Sequence, residues 1–341
     1  MPKLPSLKQV PDPLGPSHSS TEELAGNPLA SCPVCGQNGA NNWLRAPDRF
    51  HGRSKIYELA RCSACSLVWL KDPPPPSEIG RHYGSDYDRA IASGGAGSKH
   101  WNGRRDEVLS YKPSGSILDL GCGSGGFLAT LKGPLWKLSG VEMSEAAARE
   151  AEAGCGAQVF VGDILDAPFP HDSFDVVTCF HVFEHLYEPL EVLTRVSDWL
   201  KPGGVFYTMM PNIDSAGCRI FGSYWYALEL PRHLYHFSPV TLRALANAVG
   251  LWEVSVTTHR ELFVEASVRY LVDEGLRRIG FRRAPLAQDR TPILPRRVAR
   301  KVFRLTGLPI LTGLASFVGD GESIHAVFRK ADRLVDVEAR A

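Results

Sequence analysis

The sequence has almost no net charge and no long apolar segment. Its 38 Lys and Arg residues nearly balance 37 Asp and Glu residues, which leaves a formal charge of +1 at pH 7. No overall field therefore draws the protein to nucleic acid. No run of eighteen apolar residues occurs, so no membrane-spanning helix is expected. Residues 1–30 also lack the basic start and apolar run of a signal peptide, which favours a cytoplasmic protein.

Two pairs of cysteines stand out among the eight in the chain. They are C-x-x-C pairs, Cys32 with Cys35 and Cys62 with Cys65. In a chain without a secretion signal, such pairs indicate metal ligation rather than disulfides. Four thiolates suit the tetrahedral coordination of zinc and leave no open position for catalysis. We therefore predict a structural zinc; a thioredoxin-like redox pair and an iron–sulfur site are the alternatives.

Composition divides the chain into a small module, a core and an insert. The predicted division is a disordered tail (1–30), a zinc-ribbon module (31–71), a linker with lid helices (72–112), a core (113–258 and 321–331) and an inserted cap region (259–320). Tyr83 and Tyr87 are candidates to close over a ligand as part of the lid. Tail residues offer few apolar side chains to offset the entropy of ordering.

Seven short apolar segments read as strands, and helical segments separate the first six. They are 117–120, 138–141, 157–161, 174–180, 204–210, 252–257 and 324–328. The clearest helical segment runs from Glu188 to Leu200, with Pro189 in its first turn. Alternating strands and helices predict a doubly wound α/β fold, a largely parallel sheet with helices on both faces.

A glycine-rich turn follows the first core strand. Residues 117–120 stop at Gly121, and three glycines then alternate with Cys122 and Ser124. Glycine lets the backbone turn sharply and lie against a ligand. A helix predicted over 127–132 would direct free N–H groups at that ligand. The G-x-G-x-G spacing differs from the G-x-G-x-x-G of dinucleotide sites.

Acidic residues end the next two predicted strands. Glu142 follows the second strand, where a carboxylate is placed to accept hydrogen bonds from ribose hydroxyls. Asp163 follows the third, where it could accept from an adenine amino group while Ile164 packs on the ring. The sequence thus predicts a nucleoside site.

Four motifs together resemble those of class I S-adenosylmethionine-dependent methyltransferases, in particular the small-molecule and ubiquinone-methyltransferase-like group. They are LDLGCGSGGF, GVEMS, GDILDAPFPHDSFDVVTCFHVFEH and LKPGGVFYTMMPN, in that order. The resemblance implies a seven-stranded Rossmann-like sheet whose last strand, 324–328, is antiparallel, with S-adenosylmethionine as cofactor. It assigns cofactor contacts to Asp119, Gly121, Cys122, Gly123, Glu142, Met143, Asp163, Ile164, Phe180 and His181.

Histidines after the fourth and fifth core strands are the candidate general bases. Proton removal from an acceptor hydroxyl near neutral pH suits histidine, and the candidates are His185, His233 and His236. Some members of the resembled family hold a metal with acids and a histidine near the position of Glu184, and the motif here matches theirs only in part. Aromatic residues 224–226 could line an acceptor pocket or pack the insert on the core.

The predicted function is methyl transfer to a small molecule, at a hydroxyl of a sugar, ring or lipid-linked metabolite. Carbon methylation of a nucleotide sugar, ribosomal RNA methylation with the zinc module binding RNA, and a non-catalytic scaffold are the alternatives. Nucleic acid is disfavoured because the basic residues concentrate in the insert, between Arg277 and Arg304. Residues 290–318 are a candidate contact with an anionic membrane surface, and a helix packed on the core is the other interpretation. Oligomeric state does not follow from the sequence.

Overall fold

The computed structural model describes residues 31–83, 99–261, 263–278, 280 and 321–331. Within these residues the strands are β1 (Ala40–Pro47), β2 (Ile56–Cys62), β3 (Val68–Leu70), β4 (Gly115–Leu120), β5 (Trp136–Glu142), β6 (Gln158–Val161), β7 (Phe174–Phe180), β8 (Leu200–Pro211), β9 (Tyr235–His236), β10 (Leu251–His259) and β11 (Ser323–Lys330). The helices are α1 (Pro76–Ile79), α2 (Lys99–Tyr111), α3 (Glu145–Cys155), α4 (Pro189–Trp199), α5 (Ala216–Phe221), α6 (Pro239–Ala248) and α7 (Phe263–Arg278).

The larger sheet has the order β10-β11-β8-β7-β4-β5-β6. Strand β11 runs antiparallel to both of its neighbours, and the pairs from β8 to β6 are parallel. The doubly wound α/β prediction is therefore confirmed, including the antiparallel strand that comes last in the chain. The carboxyl ends of β4, β5 and β7 meet at one edge, which is where such sheets bind ligands.

Both faces of this sheet are covered, because successive side chains of a strand point in opposite directions. Leu118 and Leu120 pack with the apolar stripe of α4, including Val192 and Leu193. Ile117, directly before Leu118 in the strand, faces the other way and packs with residues of α2 and α3. The alternation explains why Ile117, Leu118 and Leu120 are all apolar although they face different neighbours on the two sides of the sheet.

The segment after the glycine turn is shorter than the predicted helix over 127–132. It forms one 3₁₀ turn, Leu128–Leu131. The backbone leaves the helical region at Lys132, and Gly133-Pro134 follows. A residue before proline is disfavoured in the helical region, so this turn does not continue. The expected helix dipole at the glycine turn is correspondingly weak.

The second sheet joins the cysteine module to the core. Its order is β1-β2-β3-β9, with antiparallel pairing throughout. Strands β1 to β3 belong to the predicted zinc-ribbon module, whereas β9 follows β8 by more than twenty residues of the core. Core packing is also shared, since Cys32, Cys62 and Trp69 lie in the same buried cluster as Phe183 and Phe237.

Several predictions fall on residues that the structure does not describe. The disordered tail 1–30, the lid residue Tyr87 and the candidate membrane contact 290–318 lie outside the described residues. Helix α7 is the main described part of the predicted insert. Among the residues described, no helix is long and apolar enough to cross a membrane.

Candidate functional site

The glycine turn closes tightly over the end of β5. Gly121, Gly123 and Gly125 all adopt positive φ, at 67°, 52° and 77°, which disfavours residues with a Cβ. The N–H groups of residues 121 and 122 both donate to the carbonyl of Val141, at 2.8 and 3.1 Å. A Cβ at Gly121 would overlap the side chain of Val182. Only glycine therefore fits between the turn and the loop that follows β7.

Glu142 is fixed against this turn. One carboxylate oxygen accepts from the N–H of Gly123 at 2.9 Å, and the other accepts from the N–H of Ser144 at 2.8 Å. A carboxylate offers about four lone-pair sites, so two remain for a ligand's hydroxyl groups. The structure thus brings the predicted ribose acceptor and the glycine turn together.

The third strand end lies beside the second. The N–H of Gly162 donates to the carbonyl of Glu142 at 3.1 Å. Asp163 caps the 3₁₀ turn that follows, because its side chain accepts from the N–H of Leu165 at 2.9 Å. Ile164 is buried, whereas the side chain of Met143 is 72% exposed. Of these predicted contacts, Met143 alone is mostly open to solvent.

Asp119 and Cys122 lie beneath the turn rather than at its surface. Asp119 is buried and accepts from the Thr178 hydroxyl at 2.7 Å. Burial raises the pKa of its carboxyl to about 7, and the nearby Glu142 acts in the same direction. Burial also raises the pKa of the Cys122 thiol, so this side chain is a packed thiol rather than a thiolate. Both residues support the turn from below.

Phe180 and His181 occupy the end of β7. The Phe180 ring packs edge-on against Phe127 and Tyr207, each with a centroid distance of 5.0 Å. His181 adopts φ of +57°, and its N–H donates to the carbonyl of Met209 at 2.8 Å. A positive φ is uncommon for histidine and is often found at ligand sites. The imidazole is thereby turned toward Glu184, with Nδ1 3.5 Å from a carboxylate oxygen.

Sequence analysis missed Arg104, a buried cation near the same strand ends. Its side chain comes from α2, donates to the Met209 sulfur at 2.9 Å and lies over the rings of Trp101 and Phe180. Burial lowers the pKa of its guanidinium. Arg104 and Arg105 are adjacent, and the apolar residues of α2 show no helical periodicity. The sequence therefore does not indicate which of the two arginines is buried. Only packing shows that Arg104 is buried while Arg105 pairs with the exposed Asp106.

His185 is partly buried against the loop that carries His233. Its Nδ1 lies 3.0 Å from both the Tyr83 hydroxyl and the Arg232 carbonyl. Since a carbonyl can only accept, Nδ1 carries the proton and Nε2 keeps a lone pair. Burial, followed by the nearby His233, lowers the pKa of the His185 imidazole to about 4. The predicted lid residue Tyr83 therefore contacts the candidate base.

His233 has the same arrangement. Its Nδ1 donates to the carbonyl of Ala227 at 2.8 Å, which again leaves Nε2 unprotonated. Burial and then Arg232 lower the pKa of this imidazole to about 3. The two rings lie 4.6 Å apart between centroids. Two neutral imidazoles therefore stand side by side, and Nε2 of His233 lies 3.6 Å from a carboxylate oxygen of Glu229.

Glu184 completes this group. It is 2% exposed, and neither carboxylate oxygen has a hydrogen-bond partner among the described residues. One ligand atom from each of Glu184, His185 and His233 lies within 4.8 Å of the others, so these residues could hold a metal ion. His236 is buried one ring further away, 6.1 Å from His233 between centroids. The structure thus brings two of the three candidate bases together and places the third behind them.

The four predicted zinc ligands converge on one point. The sulfurs of Cys32 and Cys65 are 3.7 Å apart, those of Cys35 and Cys62 are 3.6 Å apart, and all four lie within 4.8 Å. Tetrahedral zinc at a Zn–S distance of about 2.3 Å requires sulfurs about 3.8 Å apart. The N–H of Cys65 also points at the Cys62 sulfur, at 3.4 Å. The donor set and its dimensions fit zinc.

Residues 100–256 match a family model described as a methyltransferase domain. A ubiquinone biosynthesis O-methyltransferase of Thiobacillus denitrificans is 30% identical over 147 residues, 40% of this chain and 63% of that protein. An identically named protein of Stutzerimonas stutzeri is 27% identical over 188 residues, 49% of this chain and 80% of that protein. The chain thus spans less than two thirds of the Thiobacillus relative. A SAM-dependent methyltransferase structure from Archaeoglobus fulgidus is 19% identical, with a TM-score of 0.44, over 74% of this chain and 97% of that one.

Proposed function

Because the chain carries a class I S-adenosylmethionine-dependent methyltransferase domain, we propose that it transfers a methyl group to a hydroxyl oxygen of a small molecule. The observation that carries the proposal is a pair of neutral histidines beside Glu184, the buried His233 and the partly buried His185, at the strand end next to the glycine turn. A hydroxyl acceptor must lose a proton as the new bond forms, and an unprotonated Nε2 can accept it. The relatives' name, which specifies O-methylation, supports the same choice of atom.

The adenosine part of the cofactor would lie against the glycine turn. Glu142 would accept from the ribose hydroxyls and Asp163 from the adenine amino group, with Ile164 against the ring. The buried Arg104 guanidinium offers a cation for the methionine carboxylate. When bound, S-adenosylmethionine supplies an electrophilic methyl group on sulfur. The residues of this chain then need only orient the acceptor and exclude water.

His185 is our first candidate for the base. Its Nδ1–H is held by the Arg232 carbonyl, so the ring cannot easily turn and Nε2 keeps its lone pair. A proton taken by Nε2 would place a positive charge beside the buried Glu184 carboxylate, which favours that charged form of His185. Glu184 would thus offset part of the desolvation that otherwise makes this imidazole a weak base.

The same side chains also fit a divalent metal ion. A buried carboxylate without a hydrogen-bond partner among the described residues and two imidazoles oriented by carbonyls are a suitable donor set. Glu184, His185 and His233 would hold such an ion, which would lower the pKa of a bound hydroxyl. For the cysteine cluster we propose a structural zinc, since four thiolates leave no open position.

Calorimetric titration with S-adenosylmethionine tests the cofactor site. We expect Glu142→Ala to weaken binding by about tenfold or more, because the ribose would lose a charged hydrogen-bond acceptor. Glu145→Ala is the matched control, because this exposed glutamate lies three residues further along and pairs only with Arg149 among the described residues. Failure of the unaltered protein to bind the cofactor would leave the scaffold interpretation.

Methylation of the acceptor is tested with labelled cofactor and fractionated small-molecule extract. The product should carry the label on oxygen, as read by its release under ether-cleaving conditions. Label on carbon would favour nucleotide-sugar C-methylation. Label in RNA would favour the ribosomal RNA alternative.

A further inference from the structure

Asp48 is a buried carboxylate at the start of the loop that joins β1 to β2, residues 48–55. One of its oxygens accepts from the N–H of His51 at 3.0 Å, and the other lies 3.0 Å from Nδ1 of the same histidine. Its carbonyl accepts from the N–H of Arg53 at 2.9 Å, and the Arg53 Nε is 3.9 Å from the carboxylate. A buried charge that is hydrogen-bonded on several sides fixes the groups around it. Asp48 therefore holds this loop of the cysteine module in one shape.

Arg53 connects the loop to the turn that precedes Tyr83. One terminal nitrogen donates to Nδ1 of His82 at 2.7 Å, and the other donates to the carbonyl of Arg81 at 2.9 Å. Because a guanidinium is a planar fork, two donors engaged on neighbouring residues fix both the position and the orientation of the turn. The N–H of Tyr83 donates to the carbonyl of Gly80 at 3.1 Å, which closes that turn. Tyr83 thus follows directly from two residues that the cysteine module holds.

The Tyr83 hydroxyl contacts the candidate base. It lies 3.0 Å from Nδ1 of His185, the same distance as the Arg232 carbonyl. Since Nδ1 carries the proton, the hydroxyl oxygen is a second acceptor for this N–H. Rotation of the imidazole would break both hydrogen bonds, and the other tautomer would set the Nδ1 lone pair against the Arg232 carbonyl. The two acceptors together fix the ring and the nitrogen that keeps its lone pair.

The same loop also braces the second acceptor. Phe50 lies under the Arg232 guanidinium, which is 4.3 Å from the centre of its ring. The Tyr83 ring is 5.8 Å from that guanidinium on the same measure. Such contacts between a cation and an aromatic face are attractive. Residues 48–55 therefore approach both groups that hold the Nδ1–H of His185.

We propose that the cysteine module positions the candidate base, with Tyr83 as the positioning residue and Arg53 as the link that holds it. The role rests on the proposed function, since the tautomer of His185 matters only if its Nε2 accepts a proton or binds an ion. Tyr83 and Arg53 exchange no proton with the substrate in this role, and both act through His185. The module thereby contributes to the site through a loop that lies outside its four cysteines.

Nitrogen NMR of the full chain labelled at its histidine rings reports the tautomer of His185 without any turnover. His185→Asn and His233→Asn assign the two rings by the signals that disappear. We expect the Nδ1–H form for both rings in the unaltered protein. Tyr83→Phe should shift the His185 signals, and Arg53→Gln should shift them in the same direction by less, because the Arg53 side chain is 42% exposed and water can replace part of its contacts. The His233 ring is the internal control, since the Ala227 carbonyl holds its Nδ1.

Steady-state kinetics of the same variants measure the consequence. Tyr83→Phe should lower kcat about tenfold while cofactor affinity stays within about threefold, because one hydrogen bond to the base is lost. Arg53→Gln should lower kcat about threefold, and the double variant should lose no more than Tyr83→Phe alone, because the effect passes through Tyr83. Arg45→Gln is the matched control, since this exposed arginine of the same module pairs with Glu58 and should change neither the His185 signals nor kcat.

Unchanged His185 signals in Tyr83→Phe, unchanged kcat in both single variants, losses that multiply in the double variant, or an equal loss in Arg45→Gln would each overturn the positioning role. Signals that move as expected in a protein that methylates no acceptor would leave the contact standing. In that case the proposed function alone fails.

Discussion

The backbone N–H of Leu70 donates a 2.8 Å hydrogen bond to the carbonyl of Leu234. Leu70 ends the third strand of the cysteine module, and Leu234 lies between His233 and β9. The N–H of Leu234 donates in turn to the carbonyl of Glu184, also at 2.8 Å. One residue of the histidine loop is therefore bonded to the cysteine module on one side and to the Glu184 loop on the other.

This connection predicts that loss of the cysteine cluster disturbs the histidine loop more than the cofactor site. Cys62→Ala should abolish zinc binding, lower the melting temperature and reduce methyl transfer, while cofactor affinity stays within about threefold. Metal analysis, thermal unfolding and calorimetry measure these quantities. Cys218→Ala is the control, because this buried cysteine lies outside the cluster and should leave the zinc content unchanged. Zinc retained in Cys62→Ala would refute the assigned ligand set.

His185→Asn and His233→Asn should each reduce the rate of methyl transfer by about 10²–10⁴-fold if the residue is the base. Asparagine keeps a donor near the position of Nδ1, so the hydrogen bonds to the Arg232 and Ala227 carbonyls can persist. Cofactor affinity should not change. Steady-state kinetics and titration separate the two effects, with the exposed His171→Asn as control.

Metal analysis of the same variants decides between base and metal chemistry. If metal analysis finds one zinc ion per chain and His233→Asn retains it, the result supports a general-base role for the histidines. A second ion that is present in the unaltered protein and lost from His233→Asn supports the metal site. Unchanged kcat in both histidine variants would contradict either role.

The His325 imidazole should make the free energy of unfolding depend on pH. Burial, followed by His259 and Arg104, lowers the pKa of its imidazole to about 3, whereas an unfolded histidine titrates near 6.5. Between those values the unfolded chain binds the proton and the folded chain does not, so stability decreases as pH falls below about 6.5. The limit for one histidine is about 1.4 kcal/mol per pH unit.

Urea unfolding between pH 7 and pH 5 measures this effect. His325→Asn should flatten the fall of the unfolding free energy relative to the unaltered protein, whereas the exposed His171→Asn should leave the slope as it is. If the unfolding free energies of the unaltered protein and His325→Asn fall in parallel with pH, the pKa of this imidazole is not lowered in the folded protein.

Gly121→Ala should destabilise the protein by about 1–3 kcal/mol and weaken cofactor binding, because a Cβ there meets Val182 and the φ of +67° is unfavourable. Gly154→Ala is the matched control, since a Cβ at this α3 position meets nothing within 4 Å. The double variant Gly121→Ala/Val182→Ala should recover only part of the loss, because the backbone strain remains. Thermal unfolding and calorimetry follow both effects; full recovery would assign the whole loss to the overlap.

The sheet could be predicted from the sequence because each strand is a short apolar segment that ends at a recognisable residue. Apolar segments that end at Gly121, Glu142 and Asp163 mark the strand ends that carry ligand groups, and parallel connection brings those ends to one edge. The predicted cofactor contacts follow from that placement. Where prediction failed, after the turn, the reason is equally local, since Gly133-Pro134 allows one 3₁₀ turn and no more.

By itself, then, the sequence determined the doubly wound sheet, the glycine turn and the convergence of four cysteine thiols. These features depend on the spacing of apolar residues, on the residues of the turn and on the short C-x-x-C spacing, all of which involve near neighbours in the chain. Only the tertiary structure decided that Tyr83 meets His185, 102 residues away, and that Arg104 is buried while Arg105 is not. It also decided that β9 completes the sheet of the cysteine module. Such contacts depend on which faces pack together, and no local pattern encodes that choice.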